Sequence, residues 1–190
     1  YVLYQTDFAT GNIMAGDYYL KQNDFISAEP YYRRALKKDS LLNEARLNLS
    51  VVYNQLGRNN DALKILQQAV RIQPQNDMIF FNLALLYNEM NDKENAEKSL
   101  AQAAALHSQN PRVYYNYGLL LQQKGKMKEA IVQLQKAVHL APDDEDLNYA
   151  LCWIYVEAGQ MDKAREAGRS LKRLNSSNPE YQALLRKLGL

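Results

Sequence analysis

The chain has a single cysteine, Cys152, so it can close no internal disulfide, and cysteine usage leaves the redox compartment open. It has no long apolar run: nothing approaches the ~20 consecutive apolar residues that a membrane-spanning helix needs. Nor does charge of one sign dominate, with 23 basic residues against 21 acidic and a net charge of +2. A nucleic-acid binder draws much of its affinity from neutralised phosphates and concentrates far more basic charge, so no nucleic-acid partner is expected. The one basic cluster, Lys163, Arg165, Arg169, Lys172 and Arg173 followed by Arg186 and Lys187, reads as a solvated helix face. There is no glycine-rich phosphate loop, and the two histidines, His107 and His139, read as exposed residues of second helices, without cysteine or paired carboxylates at ligand spacing. No metal, cofactor or catalytic residue is therefore expected, and the chain reads as a non-enzyme. It begins at Tyr1 rather than Met, which reads as a processed form or a piece of a longer chain, and its compartment stays open between cytoplasm and periplasm.

What is present is a period. The composition, 47% hydrophobic and 23% charged, can bury a core. Ala28, Ala62, Ala96, Ala130 and Ala164 stand 34 residues apart. Ala35, Ala69, Ala103 and Ala137 keep the same spacing, with Leu171 in the fifth place. So do Tyr19, Tyr53, Tyr87 and Tyr155, with Leu121 in the gap. A small residue recurs at Gly16, Ser50, Ala84, Gly118 and Cys152, and a large one at Tyr32, Leu66, Leu100 and Leu134. No insertion interrupts the phase, which marks out five repeats at 9–42, 43–76, 77–110, 111–144 and 145–178.

Each unit reads as two helices. In 77–110, Ile79, Leu83 and Leu86 fall at helical spacing, and Ala96, Leu100 and Ala103 do so again. Between them the turn carries Asn23, Gly57, Asn91, Gly125 or Gly159, residue types that tolerate the left-handed backbone that often ends a helix. The junction to the next unit carries Asn76, Asn110, Asp144 or Asn178, good N-caps, with Pro111 and Pro179 at the first helical position. The acidic run from Asp143 to Asp146 falls at a helix start, where negative charge suits the dipole. Small residues let the two helices approach, and large ones fill the seam with the next unit. Cys152 stands in the small column and reads as packing rather than as a nucleophile. Residues 1–8 fit the pattern poorly and read as a lead-in, whereas 179–190, with Tyr181, Leu184, Leu185 and Leu188, reads as a helix capping repeat five. Two departures stand out. Pro30 falls inside a second helix unless that helix starts late with Ser27 as its cap, and Gly168 stands where a large residue is expected.

The pattern resembles the tetratricopeptide-repeat family. Its signature is met by Leu49, Ser50, Tyr53, Ala62, Leu66, Ala69 and Pro74, and again by Tyr114, Gly118, Gly125, Ala130, Leu134, Ala137 and Pro142. The strict period of 34 argues against the similar pentatricopeptide RNA binders, whose unit is typically one residue longer. The resemblance implies an all-α fold: a right-handed α-solenoid of five tandem helix-turn-helix repeats with a capping helix. It also implies a concave groove lined by first helices. Carried onto this sequence, the groove takes Leu47, Val51 and Asn54 from repeat two, and Phe81, Leu85 and Asn88 from repeat three. Tyr115, Leu119 and Gln122 come from repeat four, and Tyr149 and Trp153 from repeat five. Asn48, Asn82 and Asn116 run alongside, one repeat apart. In the similar repeats of O-linked N-acetylglucosamine transferases such an asparagine ladder grips an extended peptide, because an amide both donates and accepts. The same asparagines can instead serve helix packing. The carboxylate clamp of chaperone-tail binders is not met: Asn82 fits, but Leu47, Val51, Met78 and Asn116 stand where other residues are needed.

The expected function is a soluble protein–protein interaction module whose groove between repeats two and five takes a peptide or partner segment with apolar side chains. A second reading makes it the repeat tail of a larger, enzymatic protein, as in some bacterial arrays, although no Cys-x-x-Cys-His occurs in it. A third is weak self-association through the groove or an end face.

Overall fold

A computed structural model describes residues 8–190. Among them there are eleven helices and no strand. The chain divides into two compact units, Tyr1–Leu106 and His107–Leu190. The first holds α1 (Ala9–Lys21), α2 (Phe25–Lys38), α3 (Asn43–Gln55), α4 (Asn59–Ile72), α5 (Asp77–Glu89) and α6 (Lys93–Ala105). The second holds α7 (Pro111–Gln123), α8 (Met127–Leu140), α9 (Glu145–Glu157), α10 (Met161–Leu174) and α11 (Pro179–Leu188). Helices α3, α5, α7 and α9 begin at the residues the period marks. Of the lead-in at 1–8 only Phe8 is described, exposed at the start of α1; the rest lies outside the described residues.

The punctuation works as the residue types require. Asn23, Gly57, Asn91, Gly125 and Gly159 all have φ between 57° and 74°, the left-handed turn between first and second helix. Asn76, Asn110, Asp144 and Asn178 each accept a backbone N–H from the first turn of the helix they open. Second helices are capped less regularly: Asp24 and Asp92 accept from Ser27 and Asn95, whereas Arg58, Lys126 and Gln160 cap nothing with their side chains.

In the first unit α1 packs on α2, α3 on α4 and α5 on α6, and each pair leans on the next through α2–α3 and α4–α5. The alanine columns are fully buried at Ala28, Ala35, Ala62 and Ala69, which lets backbones approach, while Leu49 and Leu66 fill the seam. Each such leucine contributes about 1.5–3 kcal/mol by its burial. Small and large columns meet directly. A Cβ on Gly16 would lie 2.7 Å from the Tyr32 ring, and one on Gly118, in the second unit, 2.8 Å from Leu134 Cγ. In the second unit α7 packs on α8, α9 on α10, and α11 closes against α10. Gly168 is accounted for there. Leu190, Leu188 and Leu185 occupy the space its missing side chain leaves, the nearest 2.7 Å from where a Cβ would sit.

One open alternative is decided and one local expectation is corrected. Helix α2 does not start late: it begins at Phe25, with Asp24 as cap, so Pro30 lies inside it and the ladder loses one donor there. His107 is not in a second helix; α6 ends at Ala105, and His107 takes a left-handed turn with φ 55°. His139 does lie in α8.

Candidate partner-binding surfaces

In the first unit the first helices α1, α3 and α5 lie side by side, with α3 touching both neighbours. Between α3 and α5 runs a cleft of about 200 Å³ lined by Val51, Asn54 and Gln55 on one side and Asn82, Leu85, Asn88 and Glu89 on the other, with Leu66 and Leu86 below. It gathers five of the groove positions named from sequence. Leu47 stands beside it, half-buried against the core. Phe81, also named for the groove, is only 9% exposed, so most of its ring is packed against its neighbours. Leu85 is the one large apolar side chain of the cleft that counts as exposed.

The asparagine column is brought onto one face within the unit, but its amides are not idle. Asn82 donates from Nδ2 to the carbonyl of Met78 one turn back at 2.8 Å, and in the second unit Asn116 does the same to Arg112 at 2.7 Å. Asn48 instead reaches the neighbouring first helix and donates to Asp17 Oδ1 at 2.8 Å. That oxygen also accepts from the Tyr32 hydroxyl at 2.6 Å. The phenol comes from a second helix, passes over Gly16 and ends at a first-helix carboxylate. Burial, and then the Asp17 carboxylate, push its pKa far up. Sequence reasoning missed this trio, because Tyr32 stands in a column read only for the size of its residues.

In the second unit α7, α9 and α11 present aromatic rings. Tyr149 lies 6.3 Å from Trp153 and 5.2 Å from Tyr181, both tilted by about 30°. Trp153 is 40% exposed, whereas Tyr181, which the pattern gives only a capping role, is buried. Arg112 sits 5.5 Å over the Tyr115 ring and pairs with Asp144 and Asp146. Burial and nearby carboxylates raise the phenols of Tyr115 and Tyr149, with Asp146 acting on the first and Glu180 on the second. Gln122 donates to Glu157 and Leu119 is half-buried beside it in α7. The basic residues from Lys163 to Arg173 are exposed on α10.

Three family models match the chain in succession: tetratricopeptide repeat over residues 13–77, the C-terminal tetratricopeptide repeats of YpiA-like proteins over 78–144, and tetratricopeptide repeat again over 120–188. The chain belongs to the tetratricopeptide-repeat (TPR) family. No curated protein sequence matches it. Among solved structures this TPR chain is similar to MamA, at 24% identity with a TM-score of 0.71, over 94% of this chain and 96% of that one. It is similar to PilF of Pseudomonas aeruginosa at 21% identity and a TM-score of 0.83, over 95% and 82%. A third likeness is to YrrB, described as a TPR protein with an unusual peptide-binding site, at 20% identity and a TM-score of 0.68, over 96% and 92%. At these identities the likeness is one of fold. TPR proteins bind protein or peptide partners, and this chain is a scaffold of that kind. Among the described residues no helix is long and apolar enough to cross a membrane.

Proposed function

We propose that this TPR protein binds a partner polypeptide along its first helices and performs no catalysis. The observation that carries the reading is the α3–α5 cleft, where amides of Asn54, Asn82 and Asn88 surround an apolar floor. Apolar side chains of a ligand gain by burial there, and backbone groups find both donors and acceptors. In the second unit Trp153 and Tyr149 offer an exposed aromatic surface of the kind that anchors peptides. The peptide-binding site named for YrrB supports the reading by analogy of fold.

The test is affinity for a partner peptide, once one is selected against the purified protein. Leu85→Ala and Asn82→Ala should each weaken it, the latter by about 0.5–1.5 kcal/mol for a lost hydrogen bond. Trp153 is the one tryptophan, so its emission should move on binding to the second unit. Unchanged affinity in these variants together with unchanged Trp153 emission would move the site elsewhere, first to the basic face of α10.

A second reading is favoured by one observation. Met14, Tyr18, Ile26 and Leu41 are each more than 60% exposed in the first repeat, apolar side chains that self-association or a further part of a longer chain would cover. Sedimentation that shows one species across a hundredfold range of concentration would remove the self-association form of that reading.

A further inference from the structure

We infer that the outer face of α1 is a self-association surface, on which a second copy of this chain packs its own α1 antiparallel across a two-fold axis. The inference is independent of the α3–α5 cleft. It rests on the self-association reading and gives that reading a surface and a symmetry.

The same face is buried in later first helices. Tyr18 shares a column with Val52, Leu86, Ile154 and Leu188, each at most 5% exposed in a helix that packs on the second helix before it. Ala15 shares one with Leu49, Leu83, Leu151 and Leu185, also buried. Among the described residues no second helix precedes α1, and Tyr18 is 61% exposed. Met14, one turn back, is 64% exposed, in the column where Asn48, Asn82 and Asn116 put a polar amide. Gly11, Met14, Ala15 and Tyr18 are spaced i, i+3, i+4 and i+7, which is one face of a helix. Water therefore meets two large apolar side chains set among two small, half-buried residues.

This face is complementary to itself. With the axis between residues 14 and 15, Tyr18 of each copy lies opposite Gly11 of the other, and Met14 lies opposite Ala15. Large side chains then meet small ones at every place, as the Tyr32 ring meets Gly16 within the fold. A parallel pair would set Tyr18 against Tyr18 and leave both small residues unfilled. Head-to-tail stacking lacks its other half, because α11 already packs on α10, with Leu184, Leu185 and Leu188 buried. One helix a side is a small interface, so the dissociation constant should be on the order of tens of micromolar.

The test is sedimentation equilibrium of the full 190-residue chain from about 1 to 500 µM, where a monomer–dimer equilibrium is expected. Tyr18→Lys, at an exposed position that leaves the fold intact, should weaken the dimer at least about tenfold. Ala15→Leu should do the same by filling the space that Met14 of the second copy enters. The column carries leucine in four other first helices, so the single chain accommodates it. Ile26→Lys, equally exposed but on α2, should change the constant by less than about twofold. Met14→Cys puts a thiol beside the axis and should give a disulfide-linked dimer on mild oxidation, which Ile26→Cys should not. A dimer that survives Tyr18→Lys and Ala15→Leu, or a Met14→Cys chain that does not cross-link, overturns this packing and leaves self-association standing. A single monomeric species at every concentration overturns both, and the cleft reading stands apart from either result.

Discussion

Arg46 occupies a column that holds Phe80 and Tyr114 in the next two repeats, yet it is only 7% exposed. Its Nη2 donates to the Ser40 carbonyl, while Nε and Nη1 are buried without an acceptor. Desolvation lowers the pKa of the guanidinium. A buried cation with unmet donors is replaced at little cost by an apolar side chain of similar volume, and often with a gain of about 1–4 kcal/mol. Arg46→Met should therefore raise the urea midpoint, measured by circular dichroism; a clear fall would mean that the guanidinium has a partner worth more than its desolvation. Cys152 gives a second test at this scale. Burial pushes its thiol up to about 11, and Sγ lies 3.4 Å from the Ala164 carbonyl to which it donates. The unfolded chain loses this proton near the ordinary thiol pKa, so the stabilisation is complete below about pH 8.5 and fades as pH climbs towards 11. Tyr32 and Tyr53, raised chiefly by burial, act in the same direction at higher pH. Melts taken from pH 7.5 to 11 should show a loss that Cys152→Ala flattens at its early end. The native thiol should react with Ellman's reagent only as fast as the unit opens.

At the scale of the element, the helix starts and turns were legible because each rests on a residue type with one strong local reason to be there. Asn or Gly accepts positive φ, Asn or Asp caps, and the 34-residue phase places both. The candidate site was legible only in outline. The period puts Asn48, Asn82 and Asn116 on corresponding faces, but where each amide points is a contest between a ligand and the nearest carbonyl. For Asn82 and Asn116 that carbonyl is their own helix, one turn back. Likewise, the family resemblance puts Phe81 in the groove column without saying how deeply neighbours cover it, and periodicity links nothing across the 15 residues between Asp17 and Tyr32. The start of α2 stayed open between two alternatives for a physical reason: a proline suggests a boundary, whereas the packing columns of Ala28 and Tyr32 run through it, and the helix that forms keeps Pro30 inside. The missing N–H and the ring's crowding of the preceding turn remain as a local cost. Pro30→Ala should therefore stabilise the protein by about 1–3 kcal/mol, because the site is exposed and alanine restores the donor. Differential scanning calorimetry checks this, and an unchanged or lower melting temperature would show that the proline's rigidity in the unfolded chain outweighs its cost to the helix.

At the scale of the whole molecule, a repeat array is held by neighbours, so an end needs a different solution from the middle. In the second unit α11 and the two residues after it pack over repeat five. Tyr181, Leu184, Leu185 and Leu188 are each at most 5% exposed, and three of them join one apolar cluster with Leu151, Tyr155 and Leu171. Leu190, Leu188 and Leu185 also fill the hollow at Gly168, which makes the glycine and the C-terminal segment two halves of one device. Removing 179–190 would uncover that hollow along with the leucine surface. With each buried leucine contributing about 1.5–3 kcal/mol, the loss is comparable with the whole stability of a small domain. The truncated chain should show α9 and α10 losing hydrogen-exchange protection first, while α3 and α4, in the other compact unit, keep theirs. A milder version isolates the fit: Gly168→Leu places bulk where Leu190 and Leu188 now lie and should destabilise the full chain. In the truncated chain the same substitution should be neutral or helpful, since helix propensity favours leucine over glycine and the hollow is then empty. If Gly168→Leu lowers the melting temperature of both chains equally, the glycine serves packing within α9–α10, and α11 is not what it was fitted to receive.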